Sequence, residues 1–372
     1  MLSSIISLWF YLATFALCAV MIGYGEKYQK RWLRVLGLAI PILVAGFRYN
    51  VGIDYGNYTR IGADLVTFDY QTYSTRFAAT YEPTFYLFAK ISNFFGPNFV
   101  VFFLLYAIIT IVPAYLAIRK VSPKYSWLAM LLYLLLFYAT TLNVMRQLAA
   151  AAICFYAATC YIYDKRDRWR KVARFALLIL LAYLVHTSAL LMFIFLPLHY
   201  FCKYLAKRDT QRIIIYHILF SIVVIAILVV LILNIGDIPL INKYAMYLER
   251  DTGSGMPVPN PIPKLLPLLV GILALPKLLK RDKNNVFFFT MICMAIITTV
   301  PGYFIMFGYR MADYFAPFHI LMFASIIQYM TPTKRRHTYI TALICYGVLY
   351  FIYSAMLSNS QGIFPYNLIA LF

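Results

Sequence analysis

The sequence predicts an all-α fold: a polytopic integral membrane bundle of about twelve transmembrane helices, each needing roughly 20 residues, plus one short re-entrant or interfacial helix. Three observations lead to this prediction. Hydrophobic residues make up 63% of the 372 positions and charged residues only 12%, which excludes an ordinary soluble domain. The apolar residues form continuous runs rather than the short alternating strands of a β-barrel. The basic residues gather in short clusters between those runs.

The apolar runs define the predicted spans in chain order. They are Ser3–Gly23, Leu33–Phe47, Asn98–Ile118, Tyr125–Thr141, Val144–Tyr163, Val172–Val185, Thr187–Cys202, Ile213–Asn234, Pro263–Leu279, Val286–Phe304, Met311–Met330 and Thr338–Met356. The run Pro83–Phe95 follows an outer loop and precedes the basic residue Arg119, so it has no room for a full crossing. We therefore predict that it is the re-entrant or interfacial helix, ended by Gly96 and Pro97.

The distribution of charge sets the predicted topology. Twenty-four of the thirty-three Lys and Arg residues lie in six clusters, which the positive-inside rule places in the cytoplasm. The clusters are Lys27 to Arg34, Arg119 to Lys124, Lys165 to Arg174, Lys203 to Arg212, Lys277 to Lys283 and Lys334 to Arg336. Counting acids gives 24 − 5 = +19 inside and 9 − 8 = +1 outside. The net charge of +20 thus reflects topology, and a nucleic-acid partner has no support.

The chain is expected to form a single polytopic domain over residues 1–372. Two predicted outer loops are long, 48–82 and 235–263, whereas the inner loops are short and basic. Long loops in compact proteins often serve as lids or binding segments. This asymmetry predicts that any chemistry takes place on the outer side.

Three outer arginines are candidate ligands of phosphate, because the guanidinium fork matches phosphate oxygens and keeps its charge. Arg48 closes the second predicted span, and Arg310 lies in a similar aromatic setting. Arg146 and Gln147 begin a span whose next turns are rich in alanine, which lets neighbouring helices approach closely. Snorkelling to the interface is the alternative for Arg146, and pairing with Asp313 is the alternative for Arg310.

Two carboxylates and one histidine are candidate catalytic groups on the same side. Asp54 lies in a glycine-rich and aromatic segment, and Glu82 starts the short helix; local helix capping is the alternative for both. His186 lies at the turn of a forced helical hairpin, beside Thr187 and Ser188. A neutral histidine can take a proton from a hydroxyl near physiological pH, while a structural role is its alternative.

Aromatic side chains are frequent in the first outer loop, including Tyr55 and Tyr58. Rings with polar tips suit sugar faces, although the aromatic belt at a membrane interface explains many of them. The sequence has no Walker, dinucleotide-binding, HExxH or DxD-type motif. We therefore predict neither a metal nor a cofactor.

At these residues the sequence resembles the EpsG-type family of Wzy-like bacterial polysaccharide (O-antigen and exopolysaccharide) polymerases. The matching segments are 48–55 with Tyr58, 82–83, 143–149 and 186–189, followed by a weaker match at Arg310 and 313–315. They lie in the family's order and span most of the chain. Ile53 stands where a Thr or Ser is usual, and Pro83 where a small residue is common, so neither departure removes a polar catalytic group.

The resemblance implies a glycosyltransferase in the bacterial cytoplasmic (inner) membrane with its active site facing outwards. Such proteins polymerise oligosaccharide repeats carried on undecaprenyl diphosphate, which is the leaving group. The arginines Arg48, Arg146 and Arg310 would hold the diphosphate, and His186 would be the base, with Asp54 and Glu82 orienting it or the acceptor. Tyr55, Tyr58 and Gln147 would contact substrate. The expected partners are the lipid-linked oligosaccharide and membrane lipids, with a chain-length regulator as a further candidate.

Three alternatives stay open at this point. A GT-C-type glycosyltransferase acting on lipid-phosphate sugars would use Asp54 or Glu82 as base. An O-antigen ligase shares the chemistry but transfers the glycan to lipid A core. A non-enzymatic flippase would need ionisable residues along a transport path, whereas here they gather on one side.

Overall fold

Helices make up almost all of the computed structural model, which describes residues 2–78, 80–234, 262–304, 308–331 and 334–369. Within those ranges there is no β-strand, only one isolated antiparallel bridge between Arg48 and Leu368. The predicted all-α class is confirmed. Residues 235–261 of the second predicted outer loop lie outside the described residues.

The α-helices number fifteen in the described chain. They are α1 Leu2–Lys27, α2 Arg31–Gly46, α3 Tyr55–Thr67, α4 Tyr70–Thr72, α5 Pro83–Phe95, α6 Val100–Val121, α7 Ser126–Thr141, α8 Met145–Tyr163, α9 Arg168–Val185, α10 Phe195–Leu205, α11 Thr210–Leu233, α12 Ile262–Leu279, α13 Asn285–Ile297, α14 Phe318–Tyr329 and α15 Lys334–Phe351. Short 3₁₀ helices occur at Pro123–Tyr125, Thr187–Ile194, Val300–Tyr303 and Gly308–Tyr314, and π-helical turns at Tyr73–Phe77 and Ile352–Leu357.

Seven helical segments of the described chain are long and apolar enough to cross a bilayer. They are Ser3–Lys27, Val100–Val121, Met145–Tyr163, Thr187–Leu205, Thr210–Leu233, Asn285–Tyr303 and Lys334–Leu357. The count is lower than the predicted number of spans partly because α2 and α7 have only 16 residues each. The protein is therefore a multi-pass helical membrane protein in which several helices fall short of a standard span.

Several predicted spans are not continuous α-helices. The run Val286–Phe304 ends in the 3₁₀ helix Val300–Tyr303, and the run Thr338–Met356 ends in a π-helical turn. The run Thr187–Cys202 begins as a 3₁₀ helix over Thr187–Ile194 before α10 starts. The run Met311–Met330 is likewise interrupted, because the 3₁₀ helix Gly308–Tyr314 precedes an α-helix that begins only at Phe318. Pro317 accounts for the break before Phe318, since proline disfavours helical backbone in the residue before it.

The short helix α5 has the predicted bounds, Pro83–Phe95. Proline at its first position suits a helix start, and Gly96 ends it with φ 138°, a conformation open to glycine. Its 13 residues span about 20 Å, which is less than the hydrocarbon thickness of a bilayer. The helix is thus too short to cross a membrane.

The chain packs as two compact units, Met1–Phe193 with Met330–Phe372, and Ile194–Tyr329. In the first unit α8 packs against α6 and α9, and its buried alanines permit close approach. In the second unit a buried hydroxyl, Thr290 Oγ1, lies 2.8 Å from His217 Nε2 and 3.2 Å from Cys202 Sγ. That these units act as one domain stays a prediction.

Residues 359–369, called the strap below, hold the loop that follows α2 in the first unit. The backbone hydrogen bonds run from Tyr49 N–H to Asn367 O, from Gly52 N–H to Gly362 O and from Ile369 N–H to Phe47 O, at 2.9, 2.8 and 2.8 Å. The strap thereby fixes the loop that carries Arg48 and leads to Asp54.

Candidate active site

Glu82, Arg146 and His186 lie together in the first unit, although they are far apart in sequence. The Arg146 Nη1 group donates to Glu82 Oε2 at 2.5 Å. His186 Nδ1 lies 2.5 Å from Glu82 Oε1, and the Thr187 backbone N–H donates to the same oxygen at 3.2 Å. We call this group the Glu82 cluster. Both carboxylate oxygens are therefore engaged.

Glu82 is the residue immediately before α5, but its side chain does not cap that helix. The capping alternative is therefore wrong for Glu82. Its carboxylate instead turns towards α8 and α9, and only 5% of the residue is exposed. The partial positive charge at the start of α5 also favours an anion at this position.

Arg146 belongs to the first turn of α8, where the helix dipole disfavours a cation. The carboxylate of Glu82 offsets this cost. The guanidinium carbon lies 5.7 Å from the Tyr81 ring centre and 5.4 Å from that of Phe85, distances typical of cation–π contacts. Its side chain is 22% exposed, so Arg146 is held by a carboxylate and two rings rather than by solvent.

His186 stands at the point where α9 ends. Its backbone is extended, with φ −159° and ψ 128°, and its side chain is 23% exposed. The Thr84 hydroxyl donates to Leu184 O at 3.0 Å, which ties α5 to the end of α9. In the neutral ring, a Nδ1–H that donates to Glu82 leaves the lone pair on Nε2. In that tautomer the imidazole can accept a proton at Nε2.

The ionisation of Glu82 follows from its partners. Burial raises the pKa of this carboxyl, but the hydrogen bond with His186 and the positive charge of Arg146 outweigh burial and lower the pKa to about 2. The group is ionised at neutral pH, so it can orient the imidazole but is a weak base.

Arg48 is 1% exposed, and none of its described contacts is with the Glu82 cluster. Its guanidinium carbon is 4.4 Å from the Phe103 ring centre, and Nη2 is 4.0 Å from Met145 Sδ. Among the described residues no carboxylate lies within ion-pair distance of Arg48. Within the part of the chain that the structure describes, its charge is therefore buried without an acidic partner.

Asp54 and Tyr58 both bind Asn143, a residue that the sequence analysis does not propose for the site. The Asn143 Oδ1 accepts from the Asp54 backbone N–H at 3.2 Å, and its backbone oxygen accepts from the Tyr58 hydroxyl at 2.7 Å. The amide Nδ2 donates to Gln361 O in the strap at 2.6 Å. An amide buried between two apolar helices was the available signal. Asn143 fixes the loop, the strap and the start of α8 together.

The remaining predicted residues have different settings. The Asp54 side chain makes no capping bond at the start of α3 and is half-buried, so the capping alternative is wrong here too. The Tyr55 ring stacks on that of Phe103 with centres 5.0 Å apart, and Gln147 is buried on α8. Arg310 is half-buried on the 3₁₀ helix Gly308–Tyr314 of the second unit. Its relation to the Glu82 cluster stays a prediction.

The described residues contain no group of three or more His, Cys, Asp or Glu side chains that could hold a metal ion. What the Glu82 cluster offers chemically is a carboxylate, an oriented imidazole and a guanidinium. The imidazole suits proton transfer, and the guanidinium suits stabilisation of negative charge on a bound substrate.

Comparison with known families decides the identity of the chain. The family model described as the EpsG family matches residues 31–368, nearly the whole length. The chain belongs to the EpsG family. The predicted resemblance to Wzy-like polysaccharide polymerases of the EpsG type is thus confirmed. The Glu82 cluster, Arg48 and Arg310 all fall within the region of the EpsG match. No curated protein and no solved structure matched the chain.

Proposed function

We propose that this EpsG-family protein polymerises oligosaccharide repeats carried on undecaprenyl diphosphate, at the outer face of the bacterial cytoplasmic membrane. Membership of a polysaccharide polymerase-type family supports the substrate class. The Glu82 cluster is the observation that carries the proposal, because Glu82 binds both an imidazole and a guanidinium. The donor would be one lipid-linked glycan, and the acceptor a hydroxyl of another lipid-linked repeat.

In this proposal His186 is the base. Its Nε2 lone pair takes the proton of the acceptor hydroxyl, while Glu82 holds Nδ1–H and stabilises the imidazolium that forms. The acceptor oxygen forms a bond to the anomeric carbon of the donor sugar. The bond between that carbon and the diphosphate oxygen breaks, and the electron pair leaves with the diphosphate.

The departing diphosphate needs positive charge near it. Arg146 supplies one guanidinium, of which Nη1 is bound to Glu82 in the described contacts, so other N–H groups can face the leaving group. Arg310 and Arg48 are proposed as further ligands, as the family resemblance implies. For Arg48 this role requires the small cavity beside its side chain, about 10 Å³, to enlarge. Asp54 is proposed to orient the acceptor.

Residues Tyr55, Tyr58 and Gln147 are the proposed substrate contacts. The hydroxyl of Tyr58 is bound to Asn143 O, so its ring rather than its tip would meet a sugar face. Tyr55 and Gln147 are buried, and their proposed contact therefore depends on movement of the loop that the strap holds. A chain-length regulator remains a proposed partner.

A GT-C-type reaction with Glu82 as base has less support. A carboxyl with a pKa of about 2 has little proton affinity at neutral pH, so it would be a poor acceptor for a hydroxyl proton. Asp54 stays available for that alternative, which the experiment below includes.

The test uses purified protein in nanodiscs with lipid-linked repeats as the sole substrate. We expect His186→Ala to reduce polymerisation about 10²–10⁴-fold, the usual contribution of a general base, while unreacted repeats accumulate. His337→Ala, at an exposed histidine, is the matched control and should polymerise normally. Polymer formation by His186→Ala together with an inactive Asp54→Asn would instead favour the GT-C-type alternative. An inactive wild-type protein on intact repeats would contradict the proposed reaction itself.

A further inference from the structure

A small cavity of about 10 Å³, room for about one water molecule, lies beside the Arg48 side chain in the first unit. Phe103, Met145 and the two threonines Thr110 and Thr141 are among the residues that line it. The rest of the lining is aliphatic. The cavity thus combines one cation, one aromatic ring and two hydroxyls with apolar walls.

Among the described residues nothing balances the charge at this cavity. Arg48 is buried, its Nε–H has no hydrogen-bond partner within the described chain, and no carboxylate there forms an ion pair with it. By contrast, Arg34, Arg119 and Arg146 each have a carboxylate partner. A buried cation is costly unless an anion accompanies it.

We propose that the Arg48 cavity binds one small monovalent anion, with chloride as the natural occupant. Chloride is only slightly larger than water, so it matches the size of the cavity, whereas a phosphate group would not enter without a large rearrangement. Chloride also needs few directional donors, which the apolar walls could not supply. The Phe103 ring lies against the guanidinium, so the N–H groups at its edge can point at an anion.

The two hydroxyls complete the proposed anion site. Thr110 Oγ1 and Thr141 Oγ1 currently donate to the carbonyl oxygens of Tyr106 and Tyr138 within their own helices. Rotation about the C–O bond lets a hydroxyl donate to an anion instead. The site goes beyond the proposed glycosyl transfer, since chloride is neither substrate nor product of that reaction. Chloride and a diphosphate would compete for Arg48, so this proposal concerns the protein without bound substrate.

An anion that binds only the folded protein stabilises it by mass action. We therefore expect the Tm of the purified full-length protein to rise with chloride at constant sodium concentration, with gluconate replacing chloride. Above the Kd the rise should be about 1–4 °C per tenfold increase in chloride. Arg48→Gln should abolish the rise. The matched control Arg60→Gln, at an exposed arginine of α3, should retain it.

Two further measurements cover the case in which Arg48→Gln does not fold. Ala107→Val fills the cavity, which Ala107 lines, and keeps Arg48, so it should also lose the chloride response. Equilibrium dialysis of the wild-type protein with radioactive chloride should show one bound ion, displaced by bromide but not by gluconate. Equal Tm values in chloride and gluconate, or no bound chloride in dialysis, would overturn the proposal. So would stabilisation through Arg48 by inorganic diphosphate alone.

Discussion

Two buried carboxylates of the first unit, Glu26 and Glu82, each accept hydrogen bonds from several groups, but the donor groups differ. Glu26 lies on the side that the positive charge predicts to be cytoplasmic, and Glu82 on the opposite side. Glu26 accepts from Arg119 Nε at 2.6 Å and from the Tyr115 hydroxyl at 2.8 Å, and it lies 3.5 Å from Arg34 Nη1. Glu82 is held by one arginine, one histidine and one backbone N–H.

The difference lies in whether a partner can exchange a proton. Arginine and tyrosine keep their protons at neutral pH, so the contacts of Glu26 are fixed. They join α1, α2 and α6, which suggests a structural role. Glu82 holds an imidazole, the side chain suited to proton transfer at neutral pH. The same ionic arrangement therefore becomes a candidate reaction centre when one arginine is replaced by a histidine.

The comparison fails outright if both carboxylates lie on one side of the membrane. We expect a cysteine at Asp54, in the predicted outer loop 48–82, to react with an impermeant thiol reagent in intact cells that lack the native cysteines. A cysteine at Lys27, next to Glu26, should react only after the membrane is opened. In intact cells we expect full labelling of the Asp54 variant and no labelling of the Lys27 variant. Labelling of the Lys27 variant in intact cells would reverse the predicted topology.

The next largest effect should come from neutralising each carboxylate. Glu82→Gln should lower the polymerisation rate about 10–100-fold, as is common when a residue that orients a functional histidine is changed. Glu26→Gln removes a carboxylate of similar burial, so it should lower thermal stability while leaving the rate per folded molecule near that of wild type. The measurement is the initial rate with lipid-linked repeats, normalised to folded protein. Equal losses of rate in both variants would contradict the view that Glu82 has a role in the reaction and Glu26 a structural one.

Exchanging arginine for lysine should have a smaller effect. Arg146→Lys keeps the charge but loses the planar fork. A loss of about 1.5 kcal/mol, the lower end of the range for one charged hydrogen bond, corresponds to about a tenfold loss of rate. Arg119→Lys is the matched change at Glu26 and should leave the rate unaltered. Chain-length distributions on gels provide the readout. A normal distribution from Arg146→Lys would contradict a role for its fork.

The smallest effect should be on stability in acid. The pKa of Glu82 is lowered from 4.5 to about 2 by folding, so its contribution is present above the unfolded value and is lost as the pH falls towards 2. The stability gap between wild type and Glu82→Gln should therefore narrow by about 1–3 kcal/mol between neutral pH and about pH 3. Denaturant unfolding in detergent measures this gap. A gap that is independent of pH would refute the ionic account.

Much of the fold could be predicted because apolar runs flanked by charged residues indicate membrane helices. The bounds of α5 followed from Pro83 and Gly96, residues with strong local preferences. The 3₁₀ helix Thr187–Ile194 could not be predicted, since its apolar sequence fits an α-helix equally well. Hydropathy measures partition into lipid, not the type of helix.

The candidate site could be predicted as a set of residues but not as a set of pairs. The predicted topology grouped Glu82, Arg146 and His186 on one side, together with Arg48, Asp54 and Arg310. Which of them pair depends on how α5, α8 and α9 pack. Arg146 was predicted to bind diphosphate, and its bond to Glu82 has no signature in the sequence. Likewise, the isolation of Arg48 depends on Phe103 and Met145, which look like ordinary apolar residues.

The strap determines when, during synthesis, the loop after α2 can complete its folding. The Tyr366 hydroxyl donates to Val44 O across 322 positions of the chain, so the loop after α2 leaves the ribosome long before its partner exists. At roughly 5–20 residues per second, synthesis of the intervening chain takes on the order of tens of seconds. The helices can insert during that time, but the loop that carries Arg48 and Asp54 cannot acquire its final hydrogen bonds. Nascent chains that end before the strap should therefore insert into the membrane but lack the folded loop that carries Arg48 and Asp54, and we expect them to be inactive in polymerisation.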